Sequence, residues 1–403
     1  MTRTFNGLGF ALATALVLVG CTFTSDGNGS NGSDGADGGP GSSDHPSGEA
    51  RDGSAPSGEL SFSPANVPAD AGLVATGDWI FNTDTCGSTN VTIDTAKGTV
   101  SCKGQAKDAF TFKAITQVDT SQGTLTAGLF VTRRLVIEPS MVVDVVGNRP
   151  LVIVALDTAI IQGALRASAV DDHASGGGFD GSRTESRGAG PGGGQGAAAR
   201  AGAGGGGHCG VGGGGSAGGK PYGTPGNTPL VGGGSGGSGL GYSGGGGGAV
   251  QVVAGTSIEL SGTGSIGVSG GGGDWTRGGG GAGGAILLEA PSVSIFGALA
   301  ANGGGGASGN TNKGANGSAS ADPAKGGPGT DMLGTGGDGS AGATIDGQNG
   351  TQPDPAQYQG GGGGGAGWIR LNTKSGSATI GATAVISPAL STPCATQGAT
   401  AAR

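Results

Sequence analysis

Val250-Gln251-Val252, then Ile258-Glu259-Leu260-Ser261-Gly262, then Ile266-Gly267-Val268 run directly into Gly270-Gly271-Gly272-Gly273. Apolar residues at every second position mark short β-strands with one face inward and one outward. The same form recurs: apolar-x-apolar, a corner, then apolar-x-apolar-x-Gly. Leu135–Ile137 with Val143–Gly147 is one copy, and Val152–Val154 with Ala159–Gly163 is the next. Ile286–Leu288 with Val293–Gly297 follows, and a weaker copy runs from Ile369–Leu371 to Ala378–Gly381. Several copies add a third inward element: Leu165, Ile266 with Val268, and Leu299. One such unit cannot shield its apolar face, whereas units stacked roughly 4.8 Å apart bury a continuous column. The glycine after the second strand marks a bend where a side chain would obstruct the adjacent coil. The pattern predicts an all-β fold, a parallel β-helix or solenoid of about five short coils.

Long glycine-rich inserts interrupt the repeat at 170–248, 270–284 and 303–367. Each leaves after the third strand and returns before the first, so all three emerge from one edge. Glycine is 100 of 403 residues, charged residues are 12% and aromatics 4%, a composition that by itself reads as low complexity. The glycines fall in blocks instead of at every third position, which excludes collagen. Two readings of the inserts stand open: plain disorder, or packed polyglycine-II, extended three-residue-per-turn helices bonded only to their neighbours. Ordering glycine costs about 1–2 kcal/mol per residue, so the packed form requires nearly every amide to find a partner.

Upstream, 60–128 reads as a small N-terminal β cap, with Phe62, Trp79, Phe81, Phe110 and Phe112 as its core or as a carbohydrate-stacking face. Residues 21–59 are Ser, Gly, Asp and Pro with almost no apolar side chains, a flexible tether of roughly 35 Å reach. Residues 1–20 carry Arg3 and an apolar stretch from Gly7 to Val19, too short to span a bilayer and right for a signal peptide. Residues 129–394 hold the repeat and 395–403 a C-terminal tail.

Leu18-Val19-Gly20-Cys21 resembles the lipobox of bacterial lipoproteins. That resemblance implies cleavage before Cys21 and acylation of Cys21. With Thr22 next, it implies retention in the outer membrane, where several acyl chains anchor stably. Four further cysteines fit an oxidising compartment. Cys86 and Cys102 flank a strand-turn-strand and are expected to pair; Cys209–Cys394 follows by elimination. The whole resembles the glycine-rich, β-solenoid-bearing surface lipoproteins of myxobacteria and related bacteria, on the repeat and on segments such as Gly147-Asn148-Arg149-Pro150-Leu151-Val152-Ile153. The glycine runs are similar to the polyglycine-II sandwiches of phage tail-tip adhesins and of the snow flea antifreeze protein.

Chemistry is sparse. The net charge of -8 disfavours nucleic acid. Three histidines and no CxxC pair leave no metal set, and no cofactor is expected. GxSxG occurs at Gly233–Gly237, Gly241–Gly245 and Gly267–Gly271, but none precedes the helix a nucleophile elbow needs. Many parallel β-helix proteins cleave polysaccharides with clustered carboxylates beside a basic residue or calcium. The one local candidate is Asp171-Asp172-His173 with Arg166; Asp180, Asp274 and Asp338 miss the spacing of calcium-binding repeats. The expectation is a non-catalytic surface protein, adhesive or structural, anchored to the membrane and meeting glycans or other cells. A carbohydrate-active β-helix, lyase or hydrolase, is the alternative.

Overall fold

The computed structural model describes residues 59–119, 123–214 and 218–403. The expected signal peptide at 1–20, Cys21 and the expected tether up to Gly58 lie outside the described residues. Nearly all regular structure is β, and the single helical segment among the described residues is the short Thr83–Cys86. No helix there is long and apolar enough to cross a membrane.

Three sheets are built almost entirely of parallel strands, and the chain visits them in turn. The first sheet contains Asp78–Phe81, Arg134–Ile137, Thr158–Ile161, Ser257–Leu260, Ser292–Ile295 and Thr379–Ile380. The second contains Asn90–Asp94, Val142–Val146, Ala164–Arg166, Ser265–Gly267, Ala298–Ala300 and Val385–Ser387. The third contains Gly123–Thr132, Leu151–Ala155, Ala249–Ala254, Ala285–Glu289, Trp368–Thr373 and Ala395–Ala399. Antiparallel strands Thr99–Val100 and Thr111–Asp119 close one edge of the second and third sheets.

Like residues stack on like. Phe81, Ile137, Ile161, Leu260, Ile295 and Ile380 are aligned across the first sheet. Val91, Val143, Leu165, Ile266, Leu299 and Ile386 do the same across the second. Phe130, Ile153, Val252, Leu288 and Leu371 line the third. These side chains belong to one buried cluster, with Ile380 and Ile386 packed at its margin. At about 25 cal/mol per Å² of apolar surface, that column is the main favourable term holding the sheets together.

The strand pairing corrects the repeat alignment in one place. The sequence pattern sets Leu135–Ile137 against Val152–Val154, but Leu135–Ile137 pairs with Ala159–Ile161. The partner of Val152–Val154 is the earlier strand segment Leu129–Val131. Asp78–Phe81 and Asn90–Asp94 also pair in parallel with the next strands, so 60–128 contributes to the same sheets. Trp79, Phe81 and Phe130 are fully buried there, with Phe110 and Phe112 against them, so these rings form a core and no stacking face.

A second correction concerns alternation. Leu151–Ala155, Ala249–Ala254 and Ala285–Glu289 are buried on both faces. Their outer face is covered by Leu60, Phe62, Ala71, Ala75 and Leu230. Buried polar groups fix this cover: the Glu289 carboxylate accepts from the Ala65 amide at 3.0 Å, Gln251 Nε2 at 2.7 Å and Asn372 Nδ2 at 3.0 Å. Burial raises the Glu289 pKa, and these three hydrogen bonds oppose the shift.

Both expected disulfides are present. Cys86–Cys102 ties the helical segment to the strand-turn-strand, and Cys209–Cys394 ties the first insert to the chain just ahead of strand Ala395–Ala399.

Candidate functional site

The glycine segments of the three inserts lie side by side and hydrogen-bond to one another. Residues 279–284 show the rule. Gly279 donates to Gly237 and Ala282 to Gly234; Gly280 donates to Gly362 and Gly283 to Gly365; Gly281 donates to Gly271 and Gly284 to Val268. Residues three apart therefore address the same neighbour, while consecutive residues address three different ones. Carbonyls of the same segment accept from the amides of Gly206, Gly244, Gly247 and Gly304. Six segments thus surround this one. None of these run glycines has φ in the left-handed region, consistent with an extended three-residue turn.

Central and peripheral segments differ in composition for a steric reason. A central segment meets a backbone on nearly every side, so all but an occasional position, filled here by the buried Ala282, exclude a Cβ. A peripheral one needs glycine only where it faces inward. Gly347 and Gly350 face inward and are three apart, with exposed Gln348 and Asn349 between them. At the margin, side-chain oxygens replace carbonyls: Asp346 accepts from the Val211 amide at 2.8 Å and Asn349 from the Gly214 amide at 2.7 Å.

The turns between segments carry large exposed side chains. Leu240, Trp275, Met332 and Tyr358 are 59%, 57%, 65% and 42% exposed, against a bundle interior that is almost wholly buried. Trp275 lies in the turn of the second insert, next to the midpoint of the chain between the strands that flank it. Leu240 N–H donates to Thr276 O at 3.3 Å, and a Cβ on Gly241 would lie 2.5 Å from the Trp275 Cβ. The buried Arg277 sits 4.8 Å from the Tyr358 ring, bonds Glu185 at 3.1 Å and donates to Ala199 O at 2.7 Å. Arg277 thereby holds three turns together beneath the exposed apolar side chains.

A groove of about 760 Å³ runs along the outer face of the second sheet. Thr92, Asp144, Arg166 and Gly267 are aligned across its floor. Of the sequence candidates, Arg166 and His173 line it, and the others lie outside its lining. Arg166 makes a two-bonded ion pair with Asp144, at 2.8 and 3.0 Å. Lys313 is 3.1 Å from Asp274 and 3.8 Å from Asp171, and its pKa is raised chiefly by the hydrogen bond to Asp274. His173 is held by paired backbone bonds to Val170, with its ring exposed 3.8 Å from Asp172. Asp180 accepts from the Ala174 amide, and Asp338 from Lys325 and the Gly326 amide. Among the described residues no group of three His, Cys, Asp or Glu side chains is placed to hold a metal.

Sequence pattern gives no role to His208, and the structure does. It is buried, with Nδ1 donating to Gly283 O at 2.9 Å and its ring 4.6 Å from that of Tyr222. Burial lowers its pKa to about 4, against the opposing effect of the Gly283 and Gly284 carbonyls. Burial raises the Tyr222 pKa, and its hydroxyl donates to Gly232 O.

The chain matches no protein-family model, no curated protein and no solved structure.

Proposed function

We propose that this chain is a non-catalytic surface protein of the cell envelope, adhesive or structural, held to the outer membrane through acylated Cys21. In this reading the three sheets are the walls of a β-solenoid, and the glycine segments are a polyglycine-II bundle mounted along one edge. Residues 21–59 act as the spacer. The observation that carries the reading is the set of exposed Leu240, Trp275 and Tyr358 on turns of a bundle whose interior amides are hydrogen-bonded. Exposed apolar and aromatic side chains on rigid turns suit contact with a glycan or another cell. The ion pairs support it too, because Asp144 in the groove, and Asp171 and Asp274 outside its lining, each have a cation beside them. Binding of the full chain to cells or immobilised glycans tests the reading. Trp275→Ser with Leu240→Ser is expected to weaken binding by roughly tenfold or more, with the melting temperature kept. Undiminished binding refutes the turns as the contact.

The groove favours a second reading, a carbohydrate-active β-helix. It calls for depolymerisation of a polysaccharide that disappears in Asp172→Ala.

A further inference from the structure

We infer that the last strands of the three sheets form a dimer interface, through which two copies of this chain meet with like ends together. Thr379–Ile380, Val385–Ser387 and Ala395–Ala399 each stand at the edge of a sheet, and no described strand lies beyond them. An edge strand offers unpaired N–H and C=O groups, and monomeric proteins blunt such edges with charge, proline or an added strand. The two ends of this protein are treated differently. At the other end, antiparallel strands Thr99–Val100 and Thr111–Asp119 are added, and Lys97, Lys103, Lys107 and Lys113 are exposed around them. At this end, Ser375 through Ala402 contain no Asp, Glu, Lys, Arg or His. Pro388 and Pro393 fall between the edge strands, not within them.

The apolar column is also left partly open here. Ala378, Ile380, Ala384, Ile386 and Leu390 pack on the core yet are only partly buried. Ile380 and Ile386 continue their apolar ladders, whereas Gln397 takes the place next to Leu371 in the third. A stack of repeats needs a polar terminal unit to be soluble alone, and this one has little of one.

The occupant follows from the asymmetry. A head-to-tail contact would set this edge, where the Arg370 guanidinium is held on Thr396 and Gln397, against a lysine-bearing end where antiparallel strands already close two of the three sheets. A two-fold axis perpendicular to the stack instead brings two open edges together antiparallel, covers both apolar ends and closes after two copies.

Sedimentation of the full chain tests this, in a Cys21→Ser background so that no acyl chain drives association. The expected result is the mass of two chains. Thr379→Lys with Ala399→Lys, both at exposed edge positions, is expected to give the mass of one chain with an unchanged circular dichroism spectrum. Lys107→Glu at the closed end is expected to leave the dimer intact. A single-chain mass for the parent at all concentrations, a dimer that survives the paired lysines, or an open series of larger species would each overturn the inference.

Discussion

A Cβ built on Gly364 would lie 1.9 Å from the carbonyl oxygen of Gly281. The two residues belong to different inserts, far apart in sequence, and the contact is backbone against backbone. Nothing at that point can rotate away. The distance also fixes the composition of the bundle, since any side chain there must push two hydrogen-bonded segments apart.

Gly364→Ala should therefore destabilise the protein by about 3 kcal/mol or more, at the upper end of overpacking costs. Gly226→Ala, where the nearest atom, Thr224 Oγ1, is 4.0 Å away, should change stability by about 0.5 kcal/mol or less. Urea midpoints of the two variants decide the matter; equal midpoints would mean that the glycine segments are not packed as described.

The bend glycines make a sharper comparison. A Cβ on Gly163 would lie 2.5 Å from Met141 O, and one on Gly297 would lie 2.1 Å from Gly264 O, as a bend pressed against its neighbour requires. Gly262, the corresponding residue of the third copy, has only Phe296 O at 4.0 Å. The close approach has moved to Gly264, where an added Cβ would lie 2.2 Å from Ile161 O, because this corner is longer. Gly264→Ala should cost about 1–3 kcal/mol. Gly262→Ala should be near neutral, a contrast readable by thermal melting.

His208 supplies a pH dependence. Its folded pKa is lowered to about 4 by burial, while the unfolded chain takes up the proton below about 6.5. Between these values the unfolded state binds more protons, so stability falls as pH drops through that window. The loss approaches about 3 kcal/mol at the lower end. His208→Gln keeps a donor for Gly283 O and should flatten this part of the profile. An unchanged slope between about pH 6.5 and 4 in that variant would show that other groups carry the acid sensitivity.

The disulfides differ in the length of chain they close, 16 residues for Cys86–Cys102 and 185 for Cys209–Cys394. Loop closure assigns about 3 kcal/mol to the short loop and about 5 kcal/mol to the long one. Replacing Cys209 and Cys394 by Ser should lower the urea midpoint more than replacing Cys86 and Cys102. The reverse order would place the dominant effect in the native packing around Cys86.

Much of the strand pattern is legible because alternation is a local property: Val250 to Gly262 announces two strands and a bend without reference to anything else. Which strand sits on which is not legible. Leu135–Ile137 resembles Val152–Val154 and Ala159–Ile161 equally, and only the hydrogen-bonding neighbour separates them. The candidate groove shows the same division. Asp171-Asp172-His173 stands out as a polar cluster, but Arg166 is committed to Asp144 one strand away, and Asp171 faces Lys313 from another insert. The buried Glu289 looks like an outward strand position until the cover formed by Leu60 to Ala75 is placed on it.

Composition and period, both written in the chain, determined that this protein is nearly all β, that most of its glycine lies outside the strands, and that its cysteines divide into near and distant pairs. The tertiary structure alone decided which backbones touch, and so which glycines are obligatory. A sequence records the space a residue occupies, whereas the space available to it is set by neighbours brought from elsewhere in the chain.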